Sequence, residues 1–251
     1  MKVSIITACY NAGSTLGNTI ESVAAQDYPD IEYIIVDGGS QDNSLDIIKS
    51  HEDKIDHWIS EPDEGLYDAM NKGIKMATGD VVGIINADDF YHRTDAVSKI
   101  VEGFSSTDVQ AVFADIRFVS PENLEKTVRY YSSKDFQVSS FKRGIMPAHP
   151  TFFTFRENFE KYGYYMKDFR IAADFELLLR FLYRHQLSFK YIPIDLMKMR
   201  TGGLSTQYLR NNIRINREDM RACRMNGLST NYINLYSRYF KKVWEFLPSI
   251  W

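Results

Sequence analysis

A chain of 251 residues that is 44% hydrophobic and 14% aromatic can bury a large core, as one α/β body with additions or as two domains; one body with a tail is expected. Two cysteines, Cys9 and Cys223, exclude a disulfide framework, and the absence of a leader-like start or of ~20 consecutive apolar residues predicts a cytoplasmic chain that does not span a membrane. The net charge is −3, yet residues 198–242 hold ten Lys or Arg against Glu218 and Asp219, so +8 there leaves −11 elsewhere; this predicts an acidic body with a basic element that meets something anionic.

Residues 3–8 read as a first buried strand. The turn Cys9-Tyr10-Asn11-Ala12-Gly13 follows, then a helix capped by Ser14 with Leu16, Ile20, Val23 and Ala24 on one face. Residues 31–36 predict a second strand running into Asp37-Gly38-Gly39-Ser40, after which Asp42 or Ser44 caps a helix carrying Leu45, Ile47 and Ile48. A third strand near 55–59 opens into Glu61-Pro62-Asp63-Glu64-Gly65, followed by a helix with Leu66, Met70, Ile74 and Ala77. Next comes Val81-Val82-Gly83-Ile84-Ile85, an aliphatic run that predicts a strand buried on both faces and that ends in Asn86-Ala87-Asp88-Asp89.

This β-α-β alternation predicts an α/β fold with a Rossmann-like, mainly parallel sheet flanked by helices, whose carboxyl edge binds ligands. Acids gather along that edge: Asp37, Asp63, and Asp88 with Asp89. Adjacent carboxylates favour a divalent cation or, alternatively, an Asx turn or helix cap. No Gly-x-Gly-x-x-Gly follows the first strand and no Gly-Lys-Ser/Thr loop exists, which argues against a dinucleotide or a P-loop triphosphate.

Further along, residues 95–104 predict a helix, and 111–119 with 126–131 an antiparallel pair. Asp115 in the first strand of that pair suits a structural or a substrate role equally. Residues 136–147 show no period and are expected as a mobile loop over the site. Asp174 opens an apolar helix with Phe175, Leu178 and Leu182, where an N-cap is the default. Arg200-Thr201-Gly202-Gly203-Leu204-Ser205 reads either as a closing loop or as a plain turn. Arg210, Arg214, Arg217, Arg221 and Arg224 then form a helical stripe beside Leu209, Ile213, Met220 and Cys223. The aromatic end (Tyr232, Ile233, Tyr236, Tyr239, Phe240, Val243, Trp244, Phe246, Leu247, Trp251) is interleaved with Arg238, Lys241 and Lys242. Such a tail suits an anionic membrane surface or a homodimer interface; a nucleic acid partner is not expected.

The successive segments Val3-Ser4-Ile5-Ile6-Thr7-Ala8-Cys9-Tyr10-Asn11, Val36-Asp37-Gly38-Gly39-Ser40-Gln41-Asp42, Glu61-Pro62-Asp63-Glu64-Gly65-Leu66-Tyr67-Asp68-Ala69-Met70-Asn71-Lys72-Gly73 and Asn86-Ala87-Asp88-Asp89 together resemble the motifs of the inverting family 2 glycosyltransferases, of the type that builds bacterial surface polysaccharides. His149-Pro150-Thr151-Phe152-Phe153 and the stretch around Asp174 extend the resemblance to about residue 205. It implies a GT-A fold, with a catalytic domain over 1–205 (nucleotide half 1–90, acceptor half 91–205) and a basic, aromatic helical tail over 206–251. It also implies a nucleotide site at Thr7, Ala8, Tyr10, Asp37, Asp63, Lys72 and Asp88, and Mg²⁺ or Mn²⁺ on Asp89 with Asp88. Asp174 is implied as the base that deprotonates the acceptor hydroxyl, and His149 and Arg200 as acceptor or diphosphate contacts. Asn86 stands where the family has Asp, leaving the metal fewer charges, and Ala173 stands where Glu is frequent.

The function so implied is transfer of a sugar from a nucleotide diphosphate donor, UDP-linked in the usual case, to a hydroxyl of a saccharide acceptor, lipid-diphosphate-linked, at the inner face of a bacterial membrane. Two rivals remain: a nucleotidyltransferase, although Cys9-Tyr10-Asn11-Ala12-Gly13 has no cation for a triphosphate, and a non-catalytic membrane-associated subunit that binds nucleotide sugar.

Overall fold

Val3, Ile5 and Cys9 point to one side of the first strand and Ser4, Ile6 and Ala8 to the other, and all six are buried. The computed structural model describes residues 1–106, 108–202 and 209–245. A strand buried on both faces needs helices on both, and β1 (Val3–Cys9) has them. It pairs in parallel with β2 (Ile31–Asp37), which pairs in parallel with β3 (His57–Ser60), and on its other side with β4 (Val81–Ile84). The connecting helices are α1 (Leu16–Ala24), α2 (Ser44–Ser50) and α3 (Leu66–Met76). Leu16, Ile20 and Ile48 pack with Val3, Ile5, Tyr33 and Ile35 on one face. Met70 and Ile74 pack with Ile6, Ile34, Val36 and Val82 on the other.

Beyond β4 the sheet becomes mixed. The chain adds β5 (Asp89–Tyr91), α4 (Ala96–Gly103), β6 (Ala111–Ser120), β7 (Asn123–Tyr131), β8 (Phe153–Phe155), α5 (Arg156–Tyr162), α6 (Ala173–Leu179) and β9 (Phe189–Arg200). The strand order is β3-β2-β1-β4-β8-β6-β9-β5, with β7 on β6. β8 lies antiparallel between β4 and β6, and its Phe153 ring fills the space beside Gly83 that any Cβ there would occupy. This explains the one glycine in an otherwise aliphatic strand.

Several local expectations are corrected. Ser14 does not cap α1: the carbonyl of Ala12 accepts from the N–H of Thr15 and Leu16, so Thr15 holds the cap position without a side-chain bond, and Ala24 faces solvent. The run from Val81 does not carry the acid pair at its tip. It ends at Ile84, turns with Asp89 N–H donating to the Asn86 carbonyl, and Asp89 opens β5 against β9. Residues 136–147 are packed rather than open, because Phe136 and Phe141 join a ring cluster with Phe113, Phe175 and Phe189. Asp115 is committed to structure, accepting from Tyr130 and Tyr191 hydroxyls at 2.7 Å each and from Ser133 N–H at 2.6 Å.

The chain closes with α7 (Leu209–Met225) and α8 (Tyr232–Glu245). Ala222, Cys223 and Leu228 share a core with Leu177 and Leu178 of α6. Ile213, expected on the apolar stripe, is instead 51% exposed. Arg238, expected as a surface cation, turns inward: it pairs with buried Asp219 at 2.6 Å and donates to Gly144 O at 2.8 Å and Asn216 Oδ1 at 3.0 Å. Of the tail expectations, Gly203, Leu204, Ser205, Phe246, Leu247 and Trp251, and the side chains of Leu209, Arg210, Phe240, Lys241, Lys242, Val243 and Trp244, lie outside the described part.

The buried Asp219–Arg238 pair sets a stability prediction. Arg238→Met leaves an uncompensated buried carboxylate and is expected to cost about 3–5 kcal/mol in denaturant unfolding. The double change Asp219→Leu with Arg238→Met removes both charges and should recover most of that loss; equal stability of Arg238→Met and wild type would show that the pair is not holding the tail.

Candidate active site

The carboxyl ends of β1 and β2 are tied into one surface. Asn11 adopts φ of +50°, a left-handed turn conformation that Asn tolerates. From there its N–H donates to Ser40 Oγ at 2.8 Å, and its Oδ1 accepts from Gln41 N–H at 2.8 Å. Tyr10 projects from this edge with 60% of its surface exposed. Asp37 is buried beneath it and receives Gly39 N–H at 3.2 Å, Ser40 N–H at 3.1 Å, Ser60 Oγ–H at 2.7 Å and Ser40 Oγ–H. Burial alone would raise the Asp37 pKa, but the Ser40 and Ser60 hydrogen bonds outweigh it and hold the carboxyl below the usual range. The Asp63 carboxylate packs where a Cβ on Gly38 would stand, so the β2 and β3 ends share this edge.

Two residues expected at the nucleotide are turned elsewhere. The Thr7 hydroxyl is fully buried and bonded to the Tyr33 hydroxyl at 3.0 Å, because Thr7 shares the inward face with Ile5 and Cys9; Ala8 is buried on the opposite face. Lys72 braces the preceding loop, bonded to Pro62 O at 3.0 Å and Glu61 at 2.8 Å. Its neighbour Asn71 is a buried clamp on the Tyr165 backbone, through Nδ2 to the carbonyl at 2.8 Å and Oδ1 from the N–H at 2.9 Å.

A second group surrounds Asp88 and Asp89. Asp89 is buried; Asn86 Nδ2 donates to its Oδ2 at 2.8 Å, while its Oδ1 has no hydrogen-bond partner among the described residues. Burial first, and the neighbouring Asp88 second, hold the Asp89 carboxyl well above the usual carboxylate range, against the Asn86 bond and the Arg200 charge. Arg200, at the end of β9, donates to Asp88 O and to Asn18 Oδ1 at 2.7 Å, and lies 4.9 Å over the Phe90 ring. No three His, Cys, Asp or Glu side chains among the described residues converge on one point. Two carboxylates, one with an orphaned buried oxygen, nevertheless fit a small divalent cation that completes its shell with phosphate oxygens and water.

The third group centres on Asp174. Ala172, not Asp174, precedes α6 at the cap position. The N–H groups of Arg170, Ile171 and Ala172 all donate to Glu218 of α7, at 3.2, 2.9 and 2.9 Å. Glu218 thus gathers the N–H groups of the segment ahead of the helix, and Asp174 accepts Phe175 N–H of the first turn at 2.8 Å. Burial raises the Asp174 pKa to about 6, with the Glu218 charge adding to it. Tyr67 donates to Ile171 O and stacks on Tyr165 at 5.7 Å. The Tyr165 hydroxyl meets His149 Nε2 at 2.6 Å. Burial lowers the His149 pKa to about 4, so its ring is neutral near pH 7 and offers no cation to a diphosphate.

The expected site residues therefore fall into three clusters at the ends of β1, β2, β3, β4 and β9 and before α6, with Thr7 and His149 committed inside the protein and Lys72 bound to the loop it braces. Tyr67, Tyr165 and Glu218 were missed. Glu218 had one signal, as an acid set within the arginine stripe of that helix.

A family model described as glycosyl transferase family 2 matches residues 4–163. An uncharacterized glycosyltransferase of Mycobacterium tuberculosis is 35% identical over 181 residues, 71% of this chain and 68% of that protein. A glycosyltransferase of Mycobacterium bovis named for PGL/p-HBAD biosynthesis is 28% identical over 80% of this chain and 78% of its own. Among solved structures, Staphylococcus aureus TarS in complex with UDP-GlcNAc superposes with a TM-score of 0.69 at 15% identity, over 88% of this chain and 66% of that one. The mannosyltransferase PcManGT of Pyrobaculum calidifontis, in complex with GDP-Man and Mn²⁺, gives 0.64 at 18% identity, over 98% and 70%. These likenesses establish the mixed α/β GT-A fold.

The contact between Glu218 and the segment before Asp174 is directly measurable. Carboxyl-resolved NMR titration should place the Asp174 midpoint near 6. Glu218→Gln removes a like charge and should move that midpoint down; an Asp174 that titrates in the ordinary carboxylate range in the wild type would refute the arrangement.

Proposed function

Because the chain belongs to glycosyl transferase family 2 and is a transferase enzyme, we propose that it moves a sugar from a nucleoside diphosphate donor, UDP-linked, to a hydroxyl of a saccharide acceptor, with inversion. The observation that carries this reading is the Asp174 carboxyl: partly buried at the start of α6, next to the segment that Glu218 holds, and raised to about 6. A carboxylate with that pKa is ionised near neutral pH and is more basic than an exposed one, which suits proton abstraction from a hydroxyl.

In this reading the acceptor hydroxyl gives its proton to Asp174 as its oxygen attacks the anomeric carbon, and the bond to the nucleoside diphosphate breaks on the opposite face. A single displacement inverts the centre. Exposed Tyr10 stacks on the base, and Asp37, fixed by the Ser40 and Ser60 hydroxyls, holds the edge on which base and ribose rest with Asp63. Asp88 and Asp89 would hold Mg²⁺ or Mn²⁺, which when bound neutralises the diphosphate. Arg200 adds a protein cation beside the same carboxylates. Binding of UDP-GlcNAc by TarS and of GDP-Man with Mn²⁺ by PcManGT supports a nucleotide-sugar donor and a divalent ion. We assign residues 1–90 to the donor, 91–205 to the acceptor and 206–251 to a helical tail.

The Mycobacterium bovis relative is named for PGL/p-HBAD biosynthesis; for this chain we assign the acceptor to a lipid-linked saccharide at the cytoplasmic face of a bacterial membrane. No helix among the described residues is long and apolar enough to cross a membrane. On α8, Ile233 is 82% exposed, with Tyr232 and Tyr236 beside it, an apolar face suited to the headgroup boundary.

Calorimetry with UDP, GDP and CDP, with and without Mn²⁺, should show metal-dependent preference for UDP that Asp89→Ala abolishes; metal-independent binding in both proteins would remove the carboxylate pair from the site. Asp174→Asn should lower kcat by roughly 10²–10⁴-fold with donor affinity intact. Since the raised pKa keeps Asp174 protonated in acid, log kcat/KM should climb with unit slope below about pH 6 and level off above it. For the tail, Ile233→Asp should weaken sedimentation with phosphatidylglycerol vesicles, and unchanged sedimentation would sink the membrane contact.

A further inference from the structure

Beside Asp174, α7 carries a feature that the proposed transfer leaves unused. Arg214, Arg217 and Arg221 lie on one face of α7 and, with Ile213 and Glu218, line a cleft of about 350 Å³. The three arginines differ in their commitments. Arg221 is paired with Asp168 and lies 4.4 Å over the Phe169 ring. Arg214 and Arg217 are exposed and have no hydrogen bond or ion pair among the described residues. Glu218, the one acid in the cleft lining, accepts the N–H groups of residues 170, 171 and 172. Among the described residues, two guanidinium groups thus share a cleft without a carboxylate partner, which favours an anion with several oxygens in bidentate geometry.

The position of the cleft says which substrate would bring that anion. Glu218 both lines the cleft and holds the segment two residues ahead of Asp174. The nucleotide edge belongs to the loops after β1, β2 and β3, and the acid pair to the loop after β4 with Arg200, so the anionic part of the donor has its own cations. A second cleft, of about 430 Å³, is lined by residues 64–68 and 167–170, and the Asp168–Arg221 pair stands between the two. The arginine cleft therefore lies against the segment that leads into Asp174, apart from the strand edge assigned to the donor. Ile213 adds one apolar wall.

We propose that Arg214 and Arg217 bind a phosphate or diphosphate group of the acceptor, so that the enzyme takes a phosphate-bearing saccharide and holds it beside Asp174. The assignment to the acceptor rests on the transfer reading above; the anion site itself does not. A phospholipid headgroup offers the same chemistry, and the test separates the two sources.

The full chain and its Arg214→Ala/Arg217→Ala variant are titrated by calorimetry with geranyl diphosphate below its micelle concentration, in EDTA so that no metal bridges the probe to Asp88 and Asp89. The same proteins are sedimented with phosphatidylglycerol vesicles and titrated with UDP and Mn²⁺. The expected result is a loss of geranyl diphosphate affinity of about tenfold or more in the double variant. Arg214→Lys/Arg217→Lys should retain part of it, and Asp89→Ala all of it. Vesicle and UDP binding should stay unchanged. Equal geranyl diphosphate affinity of wild type and double variant, or none in the wild type, overturns the proposal. So does a loss confined to vesicles, which would make the arginines a membrane contact. UDP binding reads the donor assignment separately: its absence in every protein counts against the transferase reading while the anion site is still judged on its own titration.

Discussion

Three backbone N–H groups ahead of α6 find their acceptor in one side chain, Glu218, and the chemistry of Asp174 depends on that contact. Backbone N–H groups of a partly buried segment must be satisfied, and Glu218 satisfies three of them in the residues that lead into α6, which fixes where the helix and Asp174 begin. The same contact places a negative charge near Asp174, which adds to the effect of burial in raising its pKa. One residue from a distant helix thus helps set both the position and the basicity of the carboxylate.

The acids on the strand edge are handled differently from one another. Asp37 is fully supplied with donors and is held ionised as part of the turn. Asp89 is buried beside a second carboxylate, with one oxygen unpaired among the described residues, and Asn86 and Arg200 offset its burial in part. The contrast separates an acid that shapes the edge from one that waits for an opposite charge. Asn86, the position where the resembling family has Asp, reduces the repulsion at the pair by replacing a third carboxylate with a donor.

The first half of the fold was legible because each of its elements is defined locally. Strands buried on both faces read as aliphatic runs, and the period of the helices between them is unambiguous. The second half depends on pairing that sequence periodicity does not encode. That Phe153 inserts beside Gly83, or that Phe136 and Phe141 close a ring cluster, follows from contacts far apart in the chain. The site divides the same way. Asp37, Asp63, Asp88 and Asp89 were visible as acids at strand ends, whereas the inward turn of Thr7, the brace made by Lys72 and the neutral buried His149 depend on neighbours that only the fold supplies. Arg238 shows the limit most clearly: in sequence it is one more cation among aromatics, and in the structure it is the buried partner of Asp219.

A compositional boundary near residue 205 and a physical one are therefore different things. α7 contributes Ala222 and Cys223 to the core that α6 completes, and its Glu218 holds the backbone ahead of Asp174. Arg238 of α8 fastens Gly144 and Asp219 together. A chain lacking these helices would keep the strand edge that faces a nucleotide, since that edge is built from residues before 90. It would lose the acceptor for three N–H groups, the charge that helps raise the Asp174 pKa, and the arginines of the α7 cleft. Donor binding and the poise of the base thus rest on separate parts of the chain, joined through one glutamate.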